Sequence, residues 1–236
     1  MPNKKLAGKK ILITAGPTRE ALDPVRYISN RSTGKVGYAL AEEFLQQGAT
    51  VFLVSGPLCI NLFHPRLIMV KVNTGAEMYL ACCRYFEQVD IAVFTAAVSD
   101  YKAAKISATK LKDDNLVVKL VPNIDIAAEF GKVKSDSQLS IGFLQEANAT
   151  LAKAENKIEQ KNFDMVVLHS VDDFHAGSDE RNRITIIKKD LSHTSYSLTN
   201  EKEVAKDILI EMNISLSHAD LVEFEEQEQA YEVMYK

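Results

Sequence analysis

The amino-acid sequence predicts an α/β fold built on a doubly wound, mostly parallel sheet. Apolar runs typical of buried strands alternate with amphipathic segments typical of helices, which is the pattern of repeated strand–helix–strand units. Glycine and proline punctuate the first of these units, at Gly48 and at Gly56-Pro57. A polar stretch at residues 102–121 breaks the alternation and predicts a β-hairpin that protrudes from the sheet.

Length and composition place the chain among ordinary globular proteins. Its 236 residues can bury a substantial core, and 46% hydrophobic with 25% charged residues disfavours disordered and membrane classes. We expect one domain over residues 1–214 and an acidic extension over 215–236. No apolar run approaches the roughly 20 residues that span a bilayer, and the N-terminus lacks a signal-peptide core. We therefore expect a cytoplasmic protein without a membrane partner.

Charge disfavours a nucleic-acid-binding protein, and the cysteine content disfavours a protein with a cysteine metal site or disulfide bonds. A net charge of -4 argues against a nucleic-acid partner, because affinity for a phosphate backbone comes mostly from a cationic surface. The three cysteines, Cys59, Cys82 and Cys83, show no metal-ligand spacing and are expected to be reduced thiols. Cys82 and Cys83 fall within a predicted helix, where at least one should pack in the core.

The first elements form a βαβ unit. Residues 10–15 read as a buried strand, residues 34–47 as an amphipathic helix and residues 50–55 as a second buried strand. Such a unit is typical of the start of a Rossmann-like sheet. The dinucleotide fingerprint Gly-x-Gly-x-x-Gly does not follow the first strand, so an NAD(P)-dependent reductase stays an alternative that the sequence disfavours.

The later elements continue the same alternation. Further parallel strands are predicted at 67–72, 90–94, 137–143 and 164–168, and an antiparallel pair at 184–187 and 195–198 with a turn near Asp190. Helices are predicted at 74–86, from Asn123 onward, at 148–160 and at 202–213. Asn73 or Thr74 could cap the second helix. Paired segments 105–106 and 116–120 would form the protruding hairpin.

Residues 26–37 form a polar loop that follows the turn after the first strand and leads into the first helix. It carries two arginines, a lysine, an asparagine and three serine or threonine hydroxyls. Loops at the carboxyl edge of an open α/β sheet bind ligands, and N–H groups at a helix start can hold an anion. The loop therefore predicts a site for phosphate and carboxylate groups.

The chain resembles the phosphopantothenoylcysteine synthetase family, the ligases of coenzyme A synthesis. The likeness rests on the Gly16-Pro17-Thr18 turn, the loop Ser29-Asn30-Arg31-Ser32-Thr33-Gly34-Lys35 and the string Ala96-Ala97-Val98-Ser99-Asp100-Tyr101, and it extends with gaps from Lys10 to Lys189. The resemblance implies joining 4′-phosphopantothenate to cysteine through an acyl-nucleotidylate, with CTP as co-substrate and Mg²⁺ as cofactor. The products would be phosphopantothenoylcysteine, CMP and pyrophosphate.

The resemblance also assigns roles to individual residues. Asn30 and Lys110 match catalytic positions, and Arg26, Asn30 and Ala97 match positions that bind the substrate acid. The positions that match nucleotide contacts are Gly16, Ala96, Asp100, Lys110, Ile124, Asp125, Ile126, Phe143, Lys157 and Lys161. No metal ligand is assigned. In the family, the hairpin is a dimerisation arm with a mobile flap, so a homodimer is implied.

Departures at Pro122, His169 and Ser170, together with the acidic tail, leave a non-catalytic, nucleotide-binding paralogue as a further alternative. Pro122 lies two places early in the Lys-Asn-Pro-Asp-Ile pattern of relatives, and His169-Ser170 replaces their Asn-Asp. Bacterial relatives are often fused to a flavin-dependent decarboxylase, which here would be a separate protein or was removed. The sequence does not separate CTP from ATP.

Overall fold

An eight-stranded sheet forms the centre of the molecule. The computed structural model describes residues 4–112, 115–146, 150–170 and 182–212. In chain order the strands of this sheet are β1 (Lys10–Ala15), β4 (Thr50–Ser55), β5 (Leu67–Lys71), β6 (Ile91–Phe94), β9 (Leu139–Glu146), β10 (Met165–Ser170), β11 (Asn182–Lys188) and β12 (His193–Thr199). Two short pairs lie outside it, β2 (Arg19–Ala21) with β3 (Tyr27–Ser29) and β7 (Tyr101–Ala103) with β8 (Leu120–Pro122).

The strand order explains where a ligand site can form. The sheet runs β12-β11-β10-β9-β6-β1-β4-β5, and the six strands from β5 to β10 are parallel while β11 and β12 return antiparallel. The chain moves outward from β1 in one direction and then restarts on its other side at β6. The carboxyl ends of β1 and β6 therefore flank the switch point at which open α/β sheets bind ligands.

Helices cover both faces of the sheet. Their bounds are α1 (Lys35–Gln46), α2 (Gly75–Cys83), α3 (Ile126–Val133), α4 (Leu151–Lys161) and α5 (201–212), and a short 3-10 helix spans Phe86–Gln88. Helices α1 and α5 share one core with the sheet, and α2, α3 and α4 share the other. The doubly wound, mostly parallel fold expected from the sequence is thus confirmed.

Apolar spacing accounts for the two cores. Helix α1 buries Leu40, Phe44 and Leu45, and α5 buries Val204, Ile208 and Leu209 as expected. On the opposite face Met78 and Cys82 of α2 are fully buried, whereas Cys83 is exposed and all three cysteines are free thiols. The expectation that at least one of the adjacent cysteines packs in the core is therefore confirmed.

Several element bounds differ from those expected. The protruding hairpin pairs Tyr101–Ala103 with Leu120–Pro122 instead of 105–106 with 116–120. Helix α3 begins at Ile126 with Asp125 as its N-cap, not at Asn123, and α4 begins after its N-cap Thr150. Thr74 caps α2, which ends at Cys83 before the 3-10 helix.

Two strands also run past their expected ends. Phe143 lies inside β9, which continues to Glu146, and β10 continues through His169 to Ser170. The acidic extension at 215–236 lies outside the described residues. Within the described part of the chain, none of the helices combines the length and apolarity that a membrane span requires.

Candidate functional site

The turn after β1 and the stretch after β6 run side by side at the carboxyl edge of the sheet. The backbone N–H of Ala97 donates to the carbonyl oxygen of Gly16 at 2.9 Å, and the N–H of Ala96 donates to Oγ1 of Thr14 at 3.3 Å. Pro17 and Ala97 continue this contact as a parallel bridge. Three positions that the sequence analysis assigned to ligand binding, Gly16, Ala96 and Ala97, are thus neighbours.

Two glycines allow the start of α1 to approach this turn. Gly16 and Gly34 have φ angles of 77° and 69°, in the left-handed region that favours glycine. A Cβ atom on Gly34 would lie 3.1 Å from Cα of Gly16, closer than ordinary packing allows. Gly34 is also the N-cap of α1. The anion-attracting start of α1 therefore lies directly beside the Gly16 turn.

Asn30 reaches across to the stretch after β6. Its Nδ2 donates to the carbonyl oxygen of Val98 at 2.9 Å and lies 3.5 Å from that of Ala97. Asn30 follows β3 and is exposed to solvent. The structure therefore brings together Asn30 and Ala97, the two assigned substrate-binding positions at this edge.

Arg26 occupies the other end of the β2–β3 hairpin and contacts the segment that carries Lys110. Its Nε donates to Oδ2 of Asp23 at 2.9 Å, and its NH2 group donates to the carbonyl oxygen of Leu111. Lys110 is exposed and precedes Leu111 in the chain. The assigned flap lysine therefore adjoins a residue that is bonded to the hairpin.

A second group of assigned residues lies at the start of α3. Lys161 forms an ion pair with the Asp125 carboxylate, 2.8 Å from Nζ to Oδ2, and Asp125 accepts from the N–H of Ala128 at 3.1 Å. Partial burial would raise the pKa of Asp125, but these two contacts and the charge of Lys157 outweigh it and lower the pKa. The carboxylate is thus held in its charged form.

Lys157 and Phe143 are joined by one contact. Nζ of Lys157 donates to the carbonyl oxygen of Phe143 at 3.0 Å. The Phe143 side chain is partly buried against the core that α1 covers. Ile126 is buried in the opposite core, and the partly buried Ile124 packs against it. Any contact of Ile126 with a nucleotide would therefore use the backbone.

Asp100 lies near the base of the β7–β8 pair. Its carbonyl oxygen accepts from the N–H of Asn123 at 2.7 Å, and its side chain is exposed. The structure ties the assigned position Asp100 to the segment that leads into α3. Among the described residues, no hydrogen bond joins Lys110 to Asn30.

Three buried polar residues and one half-buried residue support this edge and were missed by the sequence analysis: Thr18, Glu20 and Asp23 are buried, and Asn123 is half-buried. Thr18 accepts from the N–H of Ser99 at 3.1 Å, and Glu20 accepts from the N–H of Gly75 at 2.8 Å. Nδ2 of Asn123 donates to the carbonyl oxygen of Ser99 at 3.0 Å. Thr18 lies in the Gly16-Pro17-Thr18 turn quoted above, and Asp23 had a signal of its own, since aspartate before proline is typical of a turn in which the side chain bonds the following N–H groups.

The side chains of the described residues show how a metal ion could be held here. Across the described ranges, no three His, Cys, Asp or Glu side chains converge where they could hold a cation. Mg²⁺ usually takes only one or two protein carboxylates and draws its other ligands from phosphates and water. The described residues therefore do not form a cation cage of their own, and a Mg²⁺ ion here would depend on a bound triphosphate.

Comparison with known proteins gives two similar curated relatives. The chain is 42% identical over 209 residues to a cysteine/cysteine sulfinic acid decarboxylase of an unknown prokaryotic organism, covering 87% of this chain and 58% of the relative. It is 36% identical over 210 residues to the coenzyme A biosynthesis bifunctional protein CoaBC of Haemophilus influenzae, covering 88% and 52%. The chain thus spans about half the length of the curated relatives that it matches.

A solved structure and a family model agree with these relatives. The crystal structure of the C-terminal domain of a CoaBC protein superimposes with a TM-score of 0.78 and 36% identity, covering 91% of this chain and 99% of that one. The model of the DNA/pantothenate metabolism flavoprotein C-terminal domain matches residues 6–215. These findings confirm the family resemblance drawn from the sequence motifs. The chain therefore belongs to the family of the DNA/pantothenate metabolism flavoprotein C-terminal domain.

Proposed function

We propose that this chain is a ligase of coenzyme A biosynthesis that joins 4′-phosphopantothenate to cysteine with the energy of a nucleoside triphosphate. The observation that carries the proposal is the contact of Asn30 with the Ala97–Val98 backbone, beside the helix start at Gly34. This arrangement offers an amide to a carboxylate and a positive helix end to a phosphate at one edge of the sheet. Both groups occur in the proposed acid substrate.

The proposed reaction has two steps. A carboxylate oxygen of phosphopantothenate attacks the α-phosphorus of the triphosphate, a new P–O bond forms, and the bond to the β-phosphate breaks to release pyrophosphate. The cysteine amine then attacks the acyl carbon, the amide bond forms with loss of a proton, and the nucleoside monophosphate leaves. No covalent bond to the protein is needed, so positioning and charge stabilisation suffice.

The residues divide between the two anions. Asn30 would hold the carboxylate and later the acyl intermediate, with Arg26 and Ala97 at the substrate side. Lys110 would neutralise charge on the departing pyrophosphate. Lys157, Lys161 and the backbone at residues 124–126 would face the nucleotide, with Gly16, Ala96, Asp100 and Phe143 around its base and ribose. The charged Lys161–Asp125 pair supports this because it fixes a cation at the start of α3.

We propose CTP as the triphosphate, by the family resemblance, and Mg²⁺ as its counter-ion. The ion would screen the phosphate charges when bound.

The exposed apolar side chains of the arm, Tyr101, Ile106, Val117 and Leu120, support a homodimer, since exposed apolar clusters mark interaction surfaces. A flavin-dependent decarboxylase is the proposed partner in the pathway, and a cytoplasmic location is the corresponding proposal for the cell.

A pyrophosphate-release assay tests the function. The purified chain is mixed with phosphopantothenate, cysteine and Mg²⁺, with CTP and ATP in parallel reactions. We expect pyrophosphate release that requires phosphopantothenate and is faster with CTP. Equal rates would overturn the CTP assignment alone. No release with either nucleotide would overturn the ligase and favour a non-catalytic nucleotide-binding protein.

A second candidate is decarboxylation of cysteine or cysteine sulfinic acid. It is favoured by the similarity to the relative of that name, of which this chain spans a little more than half. Incubation with either amino acid in the absence of nucleotide should then release CO₂. Release of CO₂ without pyrophosphate would replace the ligase by this activity.

A further inference from the structure

The buried carboxylate of Asp23 accepts hydrogen bonds from two distant segments of the chain and is not used by the proposed reaction. Asp23 is 3% exposed and lies at the turn of the β2–β3 hairpin. Its Oδ1 accepts from the backbone N–H groups of Val25 and Arg26, each at 2.8 Å. These two bonds close the turn and belong to the hairpin alone.

The other oxygen of Asp23 reaches out of the hairpin. Oδ2 accepts from Nε of Arg26 at 2.9 Å and from the backbone N–H of Leu111 at 3.2 Å. Arg26 in turn donates to the carbonyl oxygen of Leu111. Both backbone groups of one residue, 88 positions away along the chain from Asp23, are therefore held by a single aspartate–arginine pair.

A third contact joins the same two segments. The N–H of Ser107 donates to the carbonyl oxygen of Leu22 at 2.9 Å. Burial alone would raise the pKa of Asp23, but the N–H groups of Val25, Arg26 and Leu111 and the Arg26 side chain hold it well below its usual range. The carboxylate therefore carries its charge at neutral pH and accepts these hydrogen bonds in its ionised form.

We propose that Asp23 is a positioning residue that latches the segment around Leu111 onto the β2–β3 hairpin and thereby sets where Lys110 stands. The inference rests on the proposed function for its kinetic consequence, but the latch itself is a structural claim. It also gives Arg26 a second duty, because its guanidinium is shared between Asp23 and the Leu111 carbonyl. Lys110 then acts from a docked segment and not from a free loop.

The sharpest variant is Asp23→Asn. An asparagine can keep its carbonyl oxygen at the Oδ1 position, which preserves the turn bonds to Val25 and Arg26. Its amide nitrogen would then face the two donors that Oδ2 now accepts, Arg26 Nε and Leu111 N–H, and repel both. The substitution therefore opens the latch while leaving the hairpin able to fold. Asp90→Asn is the matched control, since Asp90 also accepts a backbone N–H, from Lys10 at 2.7 Å, away from this edge.

Limited trypsin digestion tests the latch without an activity assay, because it measures the rate of cleavage after Lys110. Cleavage after Lys110 requires the bonded Leu111 backbone to open, so it should be slow in the original chain. We expect cleavage at least about tenfold faster in Asp23→Asn and unchanged in Asp90→Asn, with circular dichroism confirming folded protein. Unchanged cleavage in folded Asp23→Asn would overturn the latch.

A double-mutant cycle of Asp23→Asn and Lys110→Gln tests whether the latch affects the reaction through Lys110. If Asp23 acts through Lys110, Asp23→Asn should slow pyrophosphate release about tenfold or more in the original background and have little further effect beside Lys110→Gln. Independent, multiplicative losses would overturn the positioning role. If the original chain releases no pyrophosphate but the cleavage result holds, the latch stands and the ligase proposal fails, so the two failures are distinguishable.

Discussion

The proposed role of Asn30 can be tested by replacing one atom, the amide nitrogen, with oxygen. Its Nδ2 donates to the Val98 carbonyl at 2.9 Å, so an oxygen in that position would face another oxygen. In the proposed reaction it would also face the substrate carboxylate. We expect Asn30→Asp to lower pyrophosphate release by at least about a hundredfold, the loss typical of a group that stabilises developing charge.

The control for this substitution is a similar change nearby. Asn73→Asp alters an amide at the start of α2 outside the assigned positions, and it should leave the rate within about twofold. Near-normal turnover in Asn30→Asp would remove Asn30 from the mechanism. Steady-state kinetics with phosphopantothenate as the varied substrate separates lost binding from lost chemistry.

Lys110 should affect a different step. A charge that neutralises the leaving pyrophosphate contributes in the transition state rather than in substrate binding. Lys110→Gln is therefore expected to reduce the rate of pyrophosphate release at least about tenfold while the affinity for phosphopantothenate changes less than about threefold. Lys112→Gln in the same segment is the control. Equal losses in both quantities would contradict the leaving-group role.

At the residue scale, sequence reasoning found positions that carry motifs and missed those that act through burial. Asn30 and the Ala96-Ala97 pair lie within recognisable strings, and the structure brings them together. Glu20 and Asn123 show no local pattern, because their partners lie 55 and 24 positions away. Such pairings depend on how distant segments meet, which periodicity does not encode.

Helices α3 and α4 form the element pair that places Lys161 against Asp125. Gly131 makes their contact possible, since a Cβ atom there would overlap the carbonyl oxygen of Lys161. Asn162 closes the junction by donating from Nδ2 to the Gly131 carbonyl at 3.1 Å. The position of Lys161 at the start of α3 therefore depends on residue 131 being a glycine.

Gly131→Ala should push these helices apart. Overpacking of this kind costs roughly 1–3 kcal/mol, which lowers the Tm by about 2–4 °C for each kcal/mol in a chain of this size. We also expect weaker nucleotide binding by calorimetry, because Lys161 moves with the end of α4. Lys132→Ala on the exposed side of α3 is the control and should change neither quantity appreciably. A Tm equal to that of the original chain would show that the contact is loose.

Helix α5 carries a carboxylate that the fold does not satisfy. Burial, with the nearby charges of Glu203 and Glu211, raises the pKa of Asp207, and its Oδ2 is buried without a hydrogen-bond partner. Glu211 by contrast accepts from Tyr196 at 2.8 Å and pairs with Lys188 at 2.7 Å. One acidic residue of the helix is thus stabilised in its charged form and the other is not.

A raised folded-state pKa means that protonation of Asp207 stabilises the fold at low pH, and that this stabilisation disappears as the pH rises through the folded-state value. Asp207→Asn removes the cost of the charge. We expect a Tm gain of a few degrees at pH 7 that shrinks towards zero near pH 4, measured by thermal scans across that range. Asp136→Asn, at an exposed loop position, is the control. A gain independent of pH would contradict this explanation.

At the scale of the whole molecule, the β7–β8 arm should control assembly. Val117 is 91% exposed and Leu120 is 42% exposed, although both are apolar. If a second copy covers them, Val117→Asp with Leu120→Asp should shift sedimentation velocity from dimer to monomer and reduce activity together. Phe63→Asp is the control, because Phe63 is 89% exposed before β5, at the far edge of the sheet. A dimer that survives the double change would place the interface elsewhere.

The sheet could be predicted from sequence because its central strands are buried on both faces and read as continuous apolar runs. The short pairs could not: β2 and β3 have three residues each and mix polar with apolar side chains, and the arm's true pairing begins at Tyr101. The end of β9 was misjudged because Gly142-Phe143 looks like a terminus, whereas pairing with β10 carries the strand to Glu146. Register between strands decides such ends.

The meeting of Gly16 with Gly34 has a consequence for inhibitor chemistry. A ligand bound here as proposed would meet main chain, and both positions hold conformations that other residues adopt only with strain. A compound anchored on the peptide groups there would contact atoms that every amino acid shares. Resistance by point mutation would then have to arise at the periphery of the compound, so its core could be kept constant while its substituents are varied.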